Sequence, residues 1–88
     1  MISKEDVRNT IQAIDEFVNK AEDHLSLADY GYDSTDLTEL IEALEELIND
    51  ELGNDFTATP LENEPLFERS LEDITIAEII ELVQKITR

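Results

Sequence analysis

The sequence predicts an all-α protein, a four-helix bundle formed by one domain that spans residues 1–88. Apolar residues recur at three- and four-residue spacings in several segments, which is the periodicity of amphipathic helices. No segment shows convincing strand-like alternation, and a hydrophobic content of 41% supplies enough apolar side chains for a core. We expect the helices at about residues 4–22, 34–52, 64–72 and 75–86.

The first helix is predicted to begin after Ser3, a good N-cap, with Asp6 in its first turn. Its buried face consists of Val7, Ile11, Ile14, Val18 and Ala21, with Phe17 beside them. Residues 23–33 then form a loop in which Leu25 and Leu27 contact the core and Gly31 provides backbone freedom.

The second helix has the strongest pattern, because its apolar residues fall within an arc of about 140° at 100° per residue. This stripe comprises Leu37, Leu40, Ile41, Leu44, Leu47, Ile48 and Leu52. Gly53 is expected to end the helix. A long loop follows over residues 53–63, in which Phe56 and Leu61 contact the core.

The last two helices are shorter. Pro65 is expected in the first turn of the third helix, whose inward residues are Leu66, Phe67 and Leu71. Thr75 and Glu78 predict a capping box for the fourth helix. Its apolar stripe comprises Ile76, Ile79, Ile80, Val83 and Ile86.

The charge and composition restrict the function. A net charge of −17 disfavours nucleic acid and anionic membranes as ligands, and favours basic protein surfaces. The absence of cysteine excludes disulfides and thiolate zinc sites. No signal peptide or membrane-spanning stretch is recognisable, so we expect a soluble, cytoplasmic protein. We also expect a monomer without a metal site.

A serine begins the acidic second helix, where backbone N–H groups and the helix dipole favour an attached anion. The motif is Gly31-x-Asp33-Ser34-x-Asp36-x-x-Glu39-Leu40-Ile41-x-x-Leu44-Glu45-Glu46. With the order of the helices, it resembles the attachment site of the acyl carrier proteins. The resemblance covers the chain from about Val7 to Val83.

The resemblance implies a fold, a cofactor and a non-catalytic role. Ser34 matches the serine to which a phosphopantetheinyl transferase attaches 4′-phosphopantetheine, and Asp33 matches the residue that helps to present it to the transferase and its magnesium ion. Acyl groups are then carried as thioesters to enzymes of fatty-acid, polyketide or lipid and lipopolysaccharide acylation. A simpler interpretation makes Ser34 only an N-cap.

The acidic face of the second helix is a candidate docking surface. Fifteen acids and no Lys or Arg lie between Lys20 and Arg69, so stabilising ion pairs at i,i+4 are missing. By the resemblance, partner enzymes with basic patches dock on Asp36, Glu39, Glu45 and Glu46. Glu42 belongs to the same face and replaces a residue that is usually apolar.

Three departures from the family pattern indicate a specialised carrier rather than the housekeeping carrier of fatty-acid synthesis. Thr35 replaces the usual leucine, Glu42 replaces an apolar residue, and the loop between the second and last helices is longer than usual. Two alternatives stay open: an acidic interaction protein of the nucleic-acid-mimic type, which needs no Ser34, and a carrier of aminoacyl cargo such as D-alanine.

Overall fold

The structure, a computed structural model, describes residues 2–14, 22–53 and 61–87. Three α-helices lie in these segments: α1 (Lys4–Ile14), α2 (Ser34–Leu52) and α3 (Ile76–Ile86). Short 3-10 turns occupy Ala28–Tyr30, Leu61–Asn63, Pro65–Glu68 and Leu71–Asp73. The described segments contain no strand beyond one isolated β-bridge, so the all-α prediction is confirmed and the count of four helices is not.

Helix α1 begins as predicted. The Ser3 hydroxyl accepts a hydrogen bond from the Asp6 amide at 3.1 Å, and Val7 and Ile11 are fully buried. The predicted contacts of Phe17, Val18 and Ala21 lie outside the described residues. Glu22, where the prediction ended the helix, is not helical.

Helix α2 spans the predicted residues, and its apolar stripe faces the core. Leu40, Leu44 and Ile48 are fully buried along its centre. Half-buried side chains flank them and pack against the same core: Leu37, Ile41, Leu47 and Leu52. The helix ends at Gly53, whose φ of 70° is a conformation that glycine adopts without strain.

The predicted third helix over 64–72 is wrong, because the chain there forms two separate 3-10 turns. Pro65 begins the first turn and holds the preceding residue, Glu64, in an extended conformation. Arg69 and Ser70 are also extended, with ψ of 163° and 156°, and this interrupts any helix. The Ser70 hydroxyl also donates a 3.0 Å hydrogen bond to the Asp73 carboxylate, which favours the local turn.

The inward residues of that segment were nevertheless predicted correctly. Leu61 and Phe67 are buried, while Leu66 and Leu71 are half-buried against the core. The predicted role of Phe56 lies outside the described residues.

Helix α3 is the predicted fourth helix, and both partners of its capping box are in place. The Thr75 hydroxyl accepts from the Glu78 amide at 3.3 Å, and the Glu78 carboxylate accepts from the Thr75 amide at 3.4 Å. The first two backbone amides of α3 donate to carbonyls of the loop before α2. The Ile76 amide donates to Leu25 and the Ala77 amide to Asp23, both at 3.0 Å. Leu27, in the same loop, is fully buried.

The three helices share one core, in which α1 contacts both α2 and α3. The two ends of the described chain also meet there. Ile2 is buried, its amide donates to the Thr87 hydroxyl at 3.1 Å, and its carbonyl accepts from the Gln84 side chain. In the part of the chain that the structure describes, no helix combines the length and the apolar character needed to cross a bilayer.

Candidate functional site

A short anchored loop positions the start of α2. The turn Ala28–Tyr30 ends at Gly31, whose φ of 81° is the left-handed conformation that favours glycine. Tyr32 follows and is buried, with its hydroxyl donating a 2.6 Å hydrogen bond to the Ile11 carbonyl of α1. Tyr30 is half-buried, and its hydroxyl accepts from the Glu22 amide. Both tyrosines hold the loop against the bundle, and the residues that follow, Asp33 and Ser34, are exposed.

Asp33, rather than Ser34, is the N-cap of α2. Its carboxylate accepts a 2.9 Å hydrogen bond from the Asp36 amide, and the Asp36 carboxylate accepts a 3.1 Å bond from the Asp33 amide. This reciprocal pair is a capping box with aspartate at both positions. The interpretation of Ser34 as a simple N-cap is therefore wrong, because the residue before it performs that task.

The Ser34 side chain is exposed, and its hydroxyl makes no hydrogen bond to any described residue. Thr35 shares this property. Every other serine and threonine hydroxyl in the described segments is bonded within the protein: those of Ser3, Thr10, Ser26, Thr38, Ser70, Thr75 and Thr87. The two adjacent hydroxyls at the start of α2 are thus available for chemistry.

The first backbone amides of α2 are also open. Within the described segments the amides of Ser34 and Thr35 donate to no protein group, whereas the corresponding amides of α3 are both bonded to loop carbonyls. The first amides of a helix carry its positive partial charge and are free to bind an anion when no side chain or loop takes them. The start of α2 therefore combines an available hydroxyl with two available donors.

The five acids predicted to form the docking surface separate into two groups. Glu39, Glu42 and Glu46 are exposed, and none of them contacts a cation among the described residues. Asp36 and Glu45 are half-buried and already bonded, Asp36 in the capping box and Glu45 as acceptor of the Leu61 amide at 3.1 Å. Three of the five side chains are thus free to meet a partner without breaking an internal bond.

Two ion pairs between described residues lie away from Glu39, Glu42 and Glu46 of α2. Arg8 binds Asp23 at 2.6 Å, and this hydrogen bond is the main reason why the pKa of Arg8 is raised. Arg69 pairs with Glu78. Burial raises the pKa of Glu78, but hydrogen bonds from Thr75 and Arg69 outweigh it, so the pKa lies below its usual value. These contacts stabilise the fold, and neither arginine pairs with Glu39, Glu42 or Glu46.

The described residues offer no convergent set of three His, Asp or Glu side chains that could hold a metal ion. His24, the one histidine of the sequence, is exposed in the loop before α2.

Two features of the site escaped the sequence prediction. The capping role of Asp33 was detectable, because an acid three residues later is the pattern of a capping box. The contact of Glu45 with Leu61 was not, because it joins residues 16 positions apart across an aperiodic segment.

No family model matches the sequence, and neither characterised proteins nor solved structures show a significant match to it.

Proposed function

We propose that the chain is a specialised acyl carrier protein in which Ser34 is the attachment point of 4′-phosphopantetheine. The observation that carries this proposal is the exposed, unbonded Ser34 hydroxyl at the start of α2, released from capping by Asp33. The chain itself catalyses nothing. It delivers acyl groups to partner enzymes of fatty-acid, polyketide or lipid and lipopolysaccharide acylation.

The surroundings of Ser34 suit a phosphodiester. The free amides of Ser34 and Thr35 lie at the positive end of α2, where a negative phosphate is stabilised. The arm would end in a thiol that holds acyl groups as thioesters, a group that the cysteine-free chain lacks. Because the Ser34 side chain is already exposed, attachment requires no rearrangement of the helix.

Asp33 suits the role of presenting Ser34 to the transferase. One of its oxygens, Oδ1, accepts the Asp36 amide and fixes the direction of the first turn. The side chain is exposed, and its other oxygen bonds to no described residue. That oxygen can contact the magnesium ion of the transferase while the cap remains intact. We therefore assign Asp33 a positioning role beside the reacting hydroxyl.

The acidic face of α2 suits partners with basic patches. Glu39, Glu42 and Glu46 are exposed and unpaired in the described structure, so they can bind lysine or arginine without losing an internal contact. Asp36 and Glu45 can contribute to the same electrostatic field while they keep their internal hydrogen bonds. Association should accordingly be fast and sensitive to salt.

The test is transfer in vitro. The purified protein is incubated with coenzyme A, magnesium and a permissive phosphopantetheinyl transferase, and its intact mass is measured. We expect one phosphopantetheine on the wild type and on Thr35→Ala, and none on Ser34→Ala. Thr35→Ala is a matched control because its hydroxyl is exposed, unbonded and adjacent. A wild type that stays unmodified with transferases of differing specificity would contradict the proposal.

The exposed acids also favour a second candidate function, an acidic protein that occupies a basic groove in place of nucleic acid. That function needs Glu39, Glu42 and Glu46 but has no use for Ser34. Competition with DNA for a basic partner, unchanged by Ser34→Ala, would support it over the carrier. Aminoacyl cargo such as D-alanine would use the same attachment site, and the identity of the loading ligase distinguishes it.

A further inference from the structure

A shallow groove of about 340 Å³ lies between α1 and α2 and is lined by residues of both helices. Its floor is apolar and its α2 edge is acidic. The apolar lining comprises Ala13 and Ile14 of α1 with Ala43 and Leu47 of α2. The acids Glu46 and Asp50 line the α2 side, and the uncharged polar residues Asn9 and Thr10 line the α1 side.

Small residues create the groove. Ala13 and Ala43 lie where a larger side chain would fill the space between the two helices. Ala13 is exposed, while Ile14, Ala43 and Leu47 are half-buried, so apolar carbon in this concave surface remains in contact with water. An exposed apolar surface rimmed by polar groups is typical of a site that binds another protein.

The edge of the groove specifies the charge of its occupant. Glu46 and Asp50 lie one helical turn apart, are both exposed, and contact no cation within the described segments. These charges therefore favour an occupant that combines apolar side chains over the floor with basic side chains along this edge. An amphipathic helix presents both features at once, since apolar anchors and charged flanks recur with the same helical period.

The groove and Ser34 lie on different flanks of α2. Ala43 is nine residues from Ser34, which corresponds to about 180° around the helix and about 13 Å along it. Asp50 is about 160° and about 24 Å away by the same geometry. A helix bound in the groove would leave the Ser34 hydroxyl accessible.

We propose that the groove between α1 and α2 binds a basic amphipathic helix of a partner protein. The apolar side chains of that helix lie over Ala13, Ala43 and Leu47, and its lysines or arginines pair with Glu46 and Asp50. The site shares Glu46 with the acidic face of the carrier proposal, but it adds the apolar floor between α1 and α2 and does not depend on Ser34.

The test uses a labelled helical peptide with leucines at i, i+3, i+4 and i+7 and lysines beside them, followed by fluorescence anisotropy. A peptide of the same composition in scrambled order controls for attraction by net charge. A third peptide with glutamate in place of lysine tests the acidic edge. We expect measurable binding of the first peptide and at least about tenfold weaker binding of the other two.

Ala13→Leu should fill the groove and weaken binding of the first peptide at least about tenfold. Its matched control is Ala77→Leu, at an exposed alanine of α3 outside the groove, which should change binding less than about twofold.

Glu46→Gln with Asp50→Asn should weaken binding about three- to tenfold. Glu62→Gln with Glu68→Gln removes the same charge elsewhere on the exposed surface and should leave binding unchanged. Circular dichroism confirms that each variant is folded.

Two results would overturn the proposal. Equal binding of the ordered and scrambled peptides, or unchanged binding to Ala13→Leu, would mean that the peptide binds only by charge. A concentration-dependent dimer of the wild type that Ala13→Leu abolishes would identify a second copy of this chain as the occupant. Ser34→Ala should bind the first peptide normally, so this test and that of the carrier function fail independently.

Discussion

Asp33 and Asp36 bind each other across the first turn of α2, each carboxylate accepting the backbone amide of the other residue at 2.9 and 3.1 Å. This exchange satisfies the Asp36 amide at the start of the helix and leaves the intervening Ser34 hydroxyl unbonded among the described residues. The same two aspartates that define the helix end therefore determine which side chain is available at the surface.

The cap should be measurable as stability. We expect Asp33→Ala to lower the free energy of unfolding by about 1 kcal/mol, because the Asp36 amide loses its acceptor. Asp33→Asn should retain most of that stability, since asparagine is an equally good cap. Urea denaturation measures both. Asp33→Ala with wild-type stability would show that the capping box contributes nothing.

Glu45 should act as a structural anchor besides any role in docking. In Glu45→Ala the partly buried backbone amide of Leu61 loses its hydrogen-bond acceptor. We therefore expect the free energy of unfolding to fall by about 1–3 kcal/mol. Glu45→Gln keeps an acceptor oxygen and should lose much less. The neighbouring Glu46→Ala removes an exposed side chain with no internal bond and serves as control, with an expected change within about 0.5 kcal/mol. Equal losses for the two alanine variants in urea denaturation would contradict the anchor.

The exposed acids of α2 should repel one another. Glu39 and Glu42, Glu42 and Glu46, and Glu46 and Asp50 are like-charged neighbours at i,i+3 or i,i+4, which together destabilise the helix by about 1 kcal/mol. We expect the Tm to rise with added sodium chloride because salt screens this repulsion. A variant with glutamine at positions 39, 42 and 46 should melt higher at low salt and respond less to salt. An identical salt response in both proteins would show that the repulsion is negligible.

Glu78 should make part of the stability depend on pH. Its pKa is lower in the folded protein than its usual value of 4.5, so the ionised form is favoured by folding. The stabilisation is therefore present above that pH and is lost as the pH falls through the folded pKa. We expect Glu78→Gln to be less stable than the wild type at pH 7 and the difference to shrink as the pH falls below 4.5.

The control for this pH series is Glu81→Gln, which removes an exposed charge from the same helix. Chemical denaturation at each pH provides the comparison. A difference between the wild type and Glu78→Gln that is constant across the series would mean that the contacts of Glu78 with Thr75 and Arg69 do not favour its charged form.

The sequence predicts the bounds of those helices that combine a continuous apolar stripe with a recognisable cap. Helices α2 and α3 have both, and their observed bounds agree with the prediction. The segment after α2 has apolar anchors, Leu61 and Phe67, but Pro65 and the extended residues Arg69 and Ser70 break it into turns. Apolar spacing alone could not reveal this, because buried turns and short helices place similar anchors.

The site was only partly predictable for a related reason. Local patterns identified Ser34 as the first residue of an acidic helix. Which acids are free depends on contacts between distant segments, such as that of Glu45 with Leu61. The groove beside Ala13 and Ala43 likewise exists only when α1 and α2 pack together. Such features depend on tertiary packing, which a single sequence does not encode as a local pattern.

The most direct test of the carrier proposal is intact-mass and peptide-mapping mass spectrometry of the protein isolated from its own cells under conditions that preserve thioesters. We predict a population heavier by one phosphopantetheine or its acylated form, with the added mass on the peptide that contains Ser34 and no modification of Thr35. Protein whose Ser34 is entirely unmodified, in cells that modify another carrier, would contradict the account.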